Sequence, residues 1–315
     1  MQKFFTALIS IFFLISASCT SNIFREMSGM TWGTTYHIVY ESSENLDSLI
    51  HEEMRKIDES LSMFNPESNV SRINSGQDSV ADTFFLQVFR ISQHVAKESG
   101  GRFDPTVRPL VDLWGFGAKR KEALTPPSNS DIASAISSVG ISECSISRDG
   151  VVHKKHPDTS FDFSAIAKGF GVDCIANLFE LHGVTNYMIE IGGEIVLSGH
   201  NARGEQWAIQ IDSPMSGADN HVALKVERFG PERTAIATSG NYRNFHTDAQ
   251  GHKYGHTISP LTGKPVQTDV LSATVIDRNG SCAVADAFAT ACMGLSKAEA
   301  QALLKRNGLE GLIVP

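Results

Sequence analysis

YMIEIGGEIVLS, residues 187–198, decides the fold. Tyr187–Ile191 is a β-rich run, and after Gly192-Gly193 a second one, Ile195–Ser198, follows with no room for a helix between them. Working outward, Trp207–Ile211, Ala223–Val226, Ala235–Thr238 and Ser272–Asp277 read as further strands, and Asn241–Thr257 as a hairpin region. Upstream, Thr34–Tyr40 alternates β-branched and aromatic residues, and short strands are expected at Ser145–Ser147, Val151–His153 and Ser160–Phe163. Helical spacing of apolar residues appears at Leu46, Leu49, Ile50, Met54, Ile57 and Leu61. It recurs over Phe84–Lys97, Asp131–Val139, Ser164–Leu181, Ala283–Met293 and Lys297–Arg306. Strands in runs, without regular βαβ alternation, predict an α+β chain whose mainly antiparallel sheet packs with helices.

The chain has 315 residues, 41% hydrophobic and 20% charged, which is enough for a globular core. A net charge of −8, with no basic block beyond Lys119-Arg120-Lys121, excludes the basic footprint of a nucleic-acid-binding protein. At the N-terminus Lys3 precedes the apolar run Phe4–Ile15 and then Ser16-Ala17-Ser18-Cys19. This pattern reads as a signal peptide over residues 1–18, because a spanning helix needs about 20 apolar residues. Cys19 stands where bacterial lipoproteins carry the acylated cysteine, although Ser16 occupies the place where that motif prefers Leu. Plain cleavage and secretion is the alternative. Residues 19–28 read as a tether and 29–315 as one domain. Cys144, Cys174, Cys282 and Cys292 form no C-x-x-C pair and are expected to be free thiols.

Four segments carry candidate chemistry, and neither a P-loop nor a Rossmann fingerprint is among them. In FDFSAIAKG (161–169) a strand ending at Asp162 turns into a helix whose first N–H groups favour anions, with Lys168 adding a positive charge. A plain turn capped by Ser164 is the alternative. In ADAFAT (285–290) Asp286 and Thr290 share one helix face, a pairing of hard oxygens suited to Mg²⁺. Thr290 bonding back to its own helix is the alternative. His256, in HTISPLTG (256–263), has the chemistry of a general base, but the chain holds 11 histidines and a structural role is commoner. FDPTVRPLVDLWGFG (103–117) has two prolines that argue against a regular helix or central strand, and reads as a ligand-facing loop or a loop covering the core.

Taken in order, these segments resemble the ApbE family of FAD:protein FMN transferases over roughly residues 29–300. The motifs are TWGTTY (31–36), FDPTVRPLVDLWGFG, DFSAIAKGFGVD, IEIGGEI, TSGNYRNF, HTISPLTGKPV and ADAFATA. The resemblance implies an ApbE-like fold and Mg²⁺-dependent transfer of FMN from FAD to a Thr or Ser hydroxyl of an acceptor protein. A phosphodiester forms and AMP is released. It further implies Mg²⁺ held by Asp286, Thr290 and the carbonyl of Ala165. FAD would be contacted by Asp162, Lys168, Ile258 and Arg102-Phe103-Asp104, with Trp32 and Phe64 as flavin walls. His256 would be the base. The partners it implies are FAD, an exported acceptor such as a subunit of a membrane redox complex, and the membrane itself through a lipid on Cys19. The expected location is the periplasmic face of the inner membrane. Trp32 replaces a Met, Phe64 a Tyr, Arg108 a Gly and Ser259 an Asp of the family pattern, and the stop after Val314 is expected to cost a final strand. Hydrolysis of FAD to FMN and AMP, or flavin binding without catalysis, are the competing readings.

Overall fold

The computed structural model describes residues 23–117, 126–214, 223–240, 245–247 and 253–315. The signal segment, Cys19 and Lys119–Lys121 lie outside the described residues. In chain order the strands are β1 (Ile23–Thr31), β2 (Thr34–Ser42), β3 (Ser145–Ile146), β4 (Val152–His153), β5 (Tyr187–Ile191), β6 (Glu194–Ser198) and β7 (Trp207–Asp212). They continue with β8 (Ala223–Phe229), β9 (Thr234–Gly240), β10 (Phe245–Thr247), β11 (Lys253–Gly255), β12 (Ser272–Asp277) and β13 (Glu310–Val314). The helices are α1 (Asp47–Leu61), α2 (Asn69–Ser75), α3 (Thr83–Glu98), α4 (Arg108–Leu113), α5 (Asn129–Ser137), α6 (Ala167–Leu181), α7 (Cys282–Met293) and α8 (Lys297–Arg306). The fold is α+β: one antiparallel sheet of order β1-β2-β5-β6-β9-β12-β13, with three separate two-stranded pairs and helices around it.

Alternation along each strand decides which face meets which layer. On one face Ile38, Tyr40, Tyr187, Ile189, Ile191 and Val196 pack with Val172, Ile175 and Phe179 of α6. On the other, Ile195, Leu197, Ile236 and Ile276 meet Trp207 and Phe229 of the β7–β8 pair. With both faces covered, β12 is buried along its whole length. Each fully buried aliphatic or aromatic side chain here contributes roughly 1.5–3 kcal/mol of hydrophobic stabilisation. The remaining core joins α3, α7, α8 and the Phe161–Phe163 segment around Phe85, Phe163 and Phe288.

Helices α6 and α7 meet at their N-terminal ends, and each helix binds the start of the other. Asp173 of α6 accepts the N–H groups of Cys282 and Ala283 at 2.8 and 2.9 Å, and Asp286 of α7 accepts the Gly169 N–H at 3.1 Å. First-turn amides lack intrahelical partners, so each carboxylate satisfies donors that burial would otherwise strand. The crossing is close. A Cβ on Gly169 would stand 2.7 Å from the carbonyl carbon of Cys282 and 2.9 Å from the Asp286 Cβ. Gly169→Ala is therefore expected to destabilise the protein by about 1–3 kcal/mol in urea denaturation, and an unchanged midpoint would contradict this crossing.

Five details differ from expectation or refine it. Residues 23–28, read as tether, pair with β2 from Ile23↔Ser42 onward, because an apolar Ile23-Phe24 start and a free sheet edge suffice to order them. Ser160–Phe163 makes only the bridge Ser160↔Val107, since its neighbour is interrupted by Pro105, which cannot donate. The following helix starts at Ala167, not Ser164: the Ser164 N–H turns back to Asp162 Oδ1 at 2.9 Å, holding residues 164–166 out of the helix. Within FDPTVRPLVDLWGFG the prolines do not prevent a helix. Pro109 sits in the first turn of α4, where a missing N–H costs nothing. Glu310–Val314 lies along β12 as the last strand of the sheet. The four cysteines are free thiols, and no helix among the described residues is long and apolar enough to cross a membrane.

Candidate active site

A cavity of about 470 Å³ opens where the α6 and α7 starts meet the ends of β6 and β9. Most of the residues singled out from sequence line it: Phe64, Arg102, Phe103, Asp104, Asp162, Ala165, Lys168, His256, Ile258, Asp286 and Thr290. Segments far apart in the chain thus share one wall.

The floor is charged. Lys168, at the second position of α6, places its Nζ 2.6 Å from Glu194 Oε1. Burial alone would lower the Lys168 ammonium, but the carboxylates of Asp286 and Glu194 outweigh it and hold it above the ordinary lysine range. Burial pushes the Glu194 carboxyl upward, against the pull of Lys168. Glu194 was not foreseen. It opens β6 directly after Gly192 and Gly193, both at positive φ (64° and 99°), so a tight two-glycine turn swings it onto the helix-bearing face. An acidic residue on an otherwise apolar strand, just past such a turn, was the available signal. Thr290 stands one turn beyond Asp286, its Oγ1 3.1 Å from Ser239 Oγ at the end of β9.

The walls are apolar and held by their own hydrogen bonds. Phe64 is 72% exposed at the mouth, a conspicuous exposure for a large apolar side chain. Asp104 is committed inward: its carboxylate accepts from Thr106 N and Oγ1 and from Ile141 N at 2.8, 2.6 and 3.0 Å. Burial raises its carboxyl despite these donors. It therefore shapes the 103–107 loop. Arg102 Nη1 donates to the Gly294 carbonyl at the C-terminal end of α7 at 3.1 Å, tying the same loop to that helix. Asp162 is fixed by its N–H to Pro105 O at 2.6 Å. The His256 ring lies 6.5 Å from that of Phe116, edge to face.

Trp32, expected as a flavin wall, is not among the described residues that line the cavity. It occupies the tight β1–β2 turn at φ 49°, and its indole Nε1 donates to Met54 O at 3.2 Å. Its ring covers Gly171, where a Cβ would stand 2.7 Å from Trp32 Cζ3, outside the described residues that line the cavity. The bulk of Trp32 thus pins a hairpin to α1 and α6. Arg108 lies 3.6 Å from Asp112 across α4 and does not line the cavity. Ser259, where the family pattern has Asp, still closes its turn: Thr262 N–H donates to its Oγ at 3.2 Å.

Among the described residues no three His, Cys, Asp or Glu side chains cluster to hold a metal. The donors present are one carboxylate, one hydroxyl and the Ala165 segment, all hard oxygens. Beside them Glu194 Oε2 is buried without a hydrogen-bond partner among the described residues. With Glu194 ionised in its 2.6 Å pair with Lys168, the two carboxylates outnumber the one ammonium, so the site suits a small divalent cation such as Mg²⁺, which takes few protein ligands.

A family model described as the ApbE family matches residues 32–313. The chain is 33% identical over 324 residues to the FAD:protein FMN transferase of Vibrio cholerae serotype O1, spanning 100% of this chain and 94% of that protein. The solved flavin transferase ApbE from Vibrio cholerae superposes with a TM-score of 0.80 at 33% identity, covering 93% of each chain. The apo flavinyl transferase ApbE of Pseudomonas stutzeri gives 0.81 at 29% identity, covering 94% of this chain and 92% of that one.

Proposed function

The chain belongs to the ApbE family, and on that premise we propose that it is a FAD:protein FMN transferase that works at the cavity between α6 and α7. The observation that carries the reading is the meeting of Lys168, Asp286, Thr290 and His256 in one cavity from three distant stretches of chain. Asp286, Thr290 and the Ala165 carbonyl would hold Mg²⁺. When bound it supplies neutralising charge for the diphosphate of FAD.

The reaction moves a phosphoryl-linked group between oxygens. The acceptor Thr or Ser oxygen attacks the phosphorus on the FMN side of FAD, the P–O bond to the AMP phosphate breaks, and a phosphodiester forms as AMP leaves. His256 takes the proton from the attacking hydroxyl. Lys168 stays charged beside the diphosphate, and the α6 start adds its dipole, so the negative charge that builds on the phosphoryl oxygens meets fixed positive partners. The 103–107 loop, braced by Asp104, and Ile258 and Phe64 provide apolar walls for the flavin ring. Asp162 and Arg102 supply polar contacts at the rim.

The Phe4–Ile15 run and Cys19 support export and a lipid anchor, and so an exported acceptor. The test is intact-mass analysis of an acceptor carrying the D-[GA]-x-[ST]-[GA]-A-[ST] pattern after incubation with FAD and Mg²⁺. An FMN-sized gain, with AMP released in equal amount, is expected and should disappear in His256→Ala. FMN and AMP formed with the acceptor mass unchanged would identify a hydrolase instead.

A further inference from the structure

Glu194 remains unexplained by the roles above. Its side chain is 3% exposed, it lines the cavity, and one of its two oxygens touches Lys168 Nζ at 2.6 Å while Oε2 has no hydrogen-bond partner among the described residues. A buried carboxylate costs several kcal/mol unless its charge is used. A glutamine or a threonine could hold Lys168 with a neutral oxygen, so a charged group with an idle, buried oxygen in the cavity wall needs another reason. Asp286 lines the same cavity as Lys168, and its charge favours the ammonium too. With Glu194 held ionised by its 2.6 Å pair with Lys168, two carboxylates around one lysine make the floor net negative, a charge that burial resists and a divalent cation would relieve. Adding a divalent cation reverses that sign and makes the floor attractive to a diphosphate.

We propose that Glu194 is a positioning residue: it fixes the Lys168 ammonium at the cavity floor and supplies the negative charge that draws a divalent cation to the Asp286–Thr290 side. The backbone supports this placement. The Gly192-Gly193 turn fixes where β6 begins, and pairing through Ile191↔Glu194 and Ile195↔Ile236 leaves Glu194 no freedom to reach solvent. This inference rests on the functional reading of the cavity.

The experiment titrates the purified full chain with Mn²⁺ alone, read by its electron paramagnetic resonance signal, with Asp286→Ala as the control that ties binding to this site. Glu194→Gln keeps size and an oxygen for Lys168 but removes the charge. It is expected to weaken Mn²⁺ binding by about tenfold or more while melting near the wild-type temperature. Glu194→Asp restores the charge on a shorter arm. It should bind Mn²⁺ within about threefold of wild type yet transfer flavin more slowly, because Lys168 loses its contact. Wild-type Mn²⁺ affinity in Glu194→Gln, or equal weakening in Glu194→Asp, overturns the proposal. A wild-type chain that binds Mn²⁺ but leaves the acceptor mass unchanged overturns the transferase reading instead, so the two failures are distinguishable.

Discussion

Asp286→Asn is expected to lower kcat for flavin transfer by roughly 10³-fold, the scale seen when a fixed electrostatic partner of the reacting group is removed. The substitution is chosen because Asp286 has two tasks. Its Oδ2 accepts the Gly169 N–H at 3.1 Å, closing the α6 start against α7. Its charge is the one carboxylate proposed to hold the cation directly. Asn retains an oxygen for Gly169 and nearly the same volume, so the helix crossing survives and the lost activity reports the charge. Circular dichroism and thermal melting establish that the fold is retained, and turnover is measured over a range of Mg²⁺ concentrations. Activity within about tenfold of wild type at saturating Mg²⁺ would place the reacting centre elsewhere.

The largest stability effect is expected at Asp173→Ala. Asp173 is buried and accepts from Cys282 N, Ala283 N, Ser281 Oγ and Arg233. Removing it strands two helix-start amides and leaves Arg233 without its inner partner. Breaking a buried charged network costs about 3–5 kcal/mol. Here burial already pushes the Asp173 carboxyl upward against those donors, so the lower end applies. A loss of about 3 kcal/mol lowers the melting temperature by roughly 6–10 °C. Asp173→Asn should recover part of it, because one side-chain oxygen can still accept. A melting temperature within about 2 °C of wild type in Asp173→Ala would show that the α6–α7 crossing does not depend on this reciprocal capping.

Much of this arrangement was legible in residue pattern. The antiparallel sheet followed from strands that succeed one another without helices between them. The pairing of Asp286 with Thr290 on one face followed from helical spacing alone. Convergence was not legible, because spacing along the chain says nothing about which distant segments meet. Glu194 shows the limit: a single acidic residue after two glycines looks like a turn, and only pairing of β6 with β5 and β9 turns it toward Lys168. Asp173 was hidden in the same way, since the α7 start that it caps lies more than a hundred residues away. The placement of Trp32 turns on a local feature instead. Its aromatic ring suited a flavin wall, but a left-handed φ in a two-residue turn aims it at Met54 and Gly171. The start of α6 moved from Ser164 to Ala167 because Asp162 caps a turn, a local bond that composition does not distinguish from a helix cap.

Crystals grown with FAD and Mn²⁺, and read by the anomalous scattering of the metal, would test the shared reaction centre directly. The expected map has one peak bonded to Asp286 and Thr290 Oγ1 at about 2.0–2.3 Å, with the diphosphate of FAD against both that ion and Lys168 Nζ. A metal bound away from Asp286, or a diphosphate seated out of reach of Lys168, would contradict it.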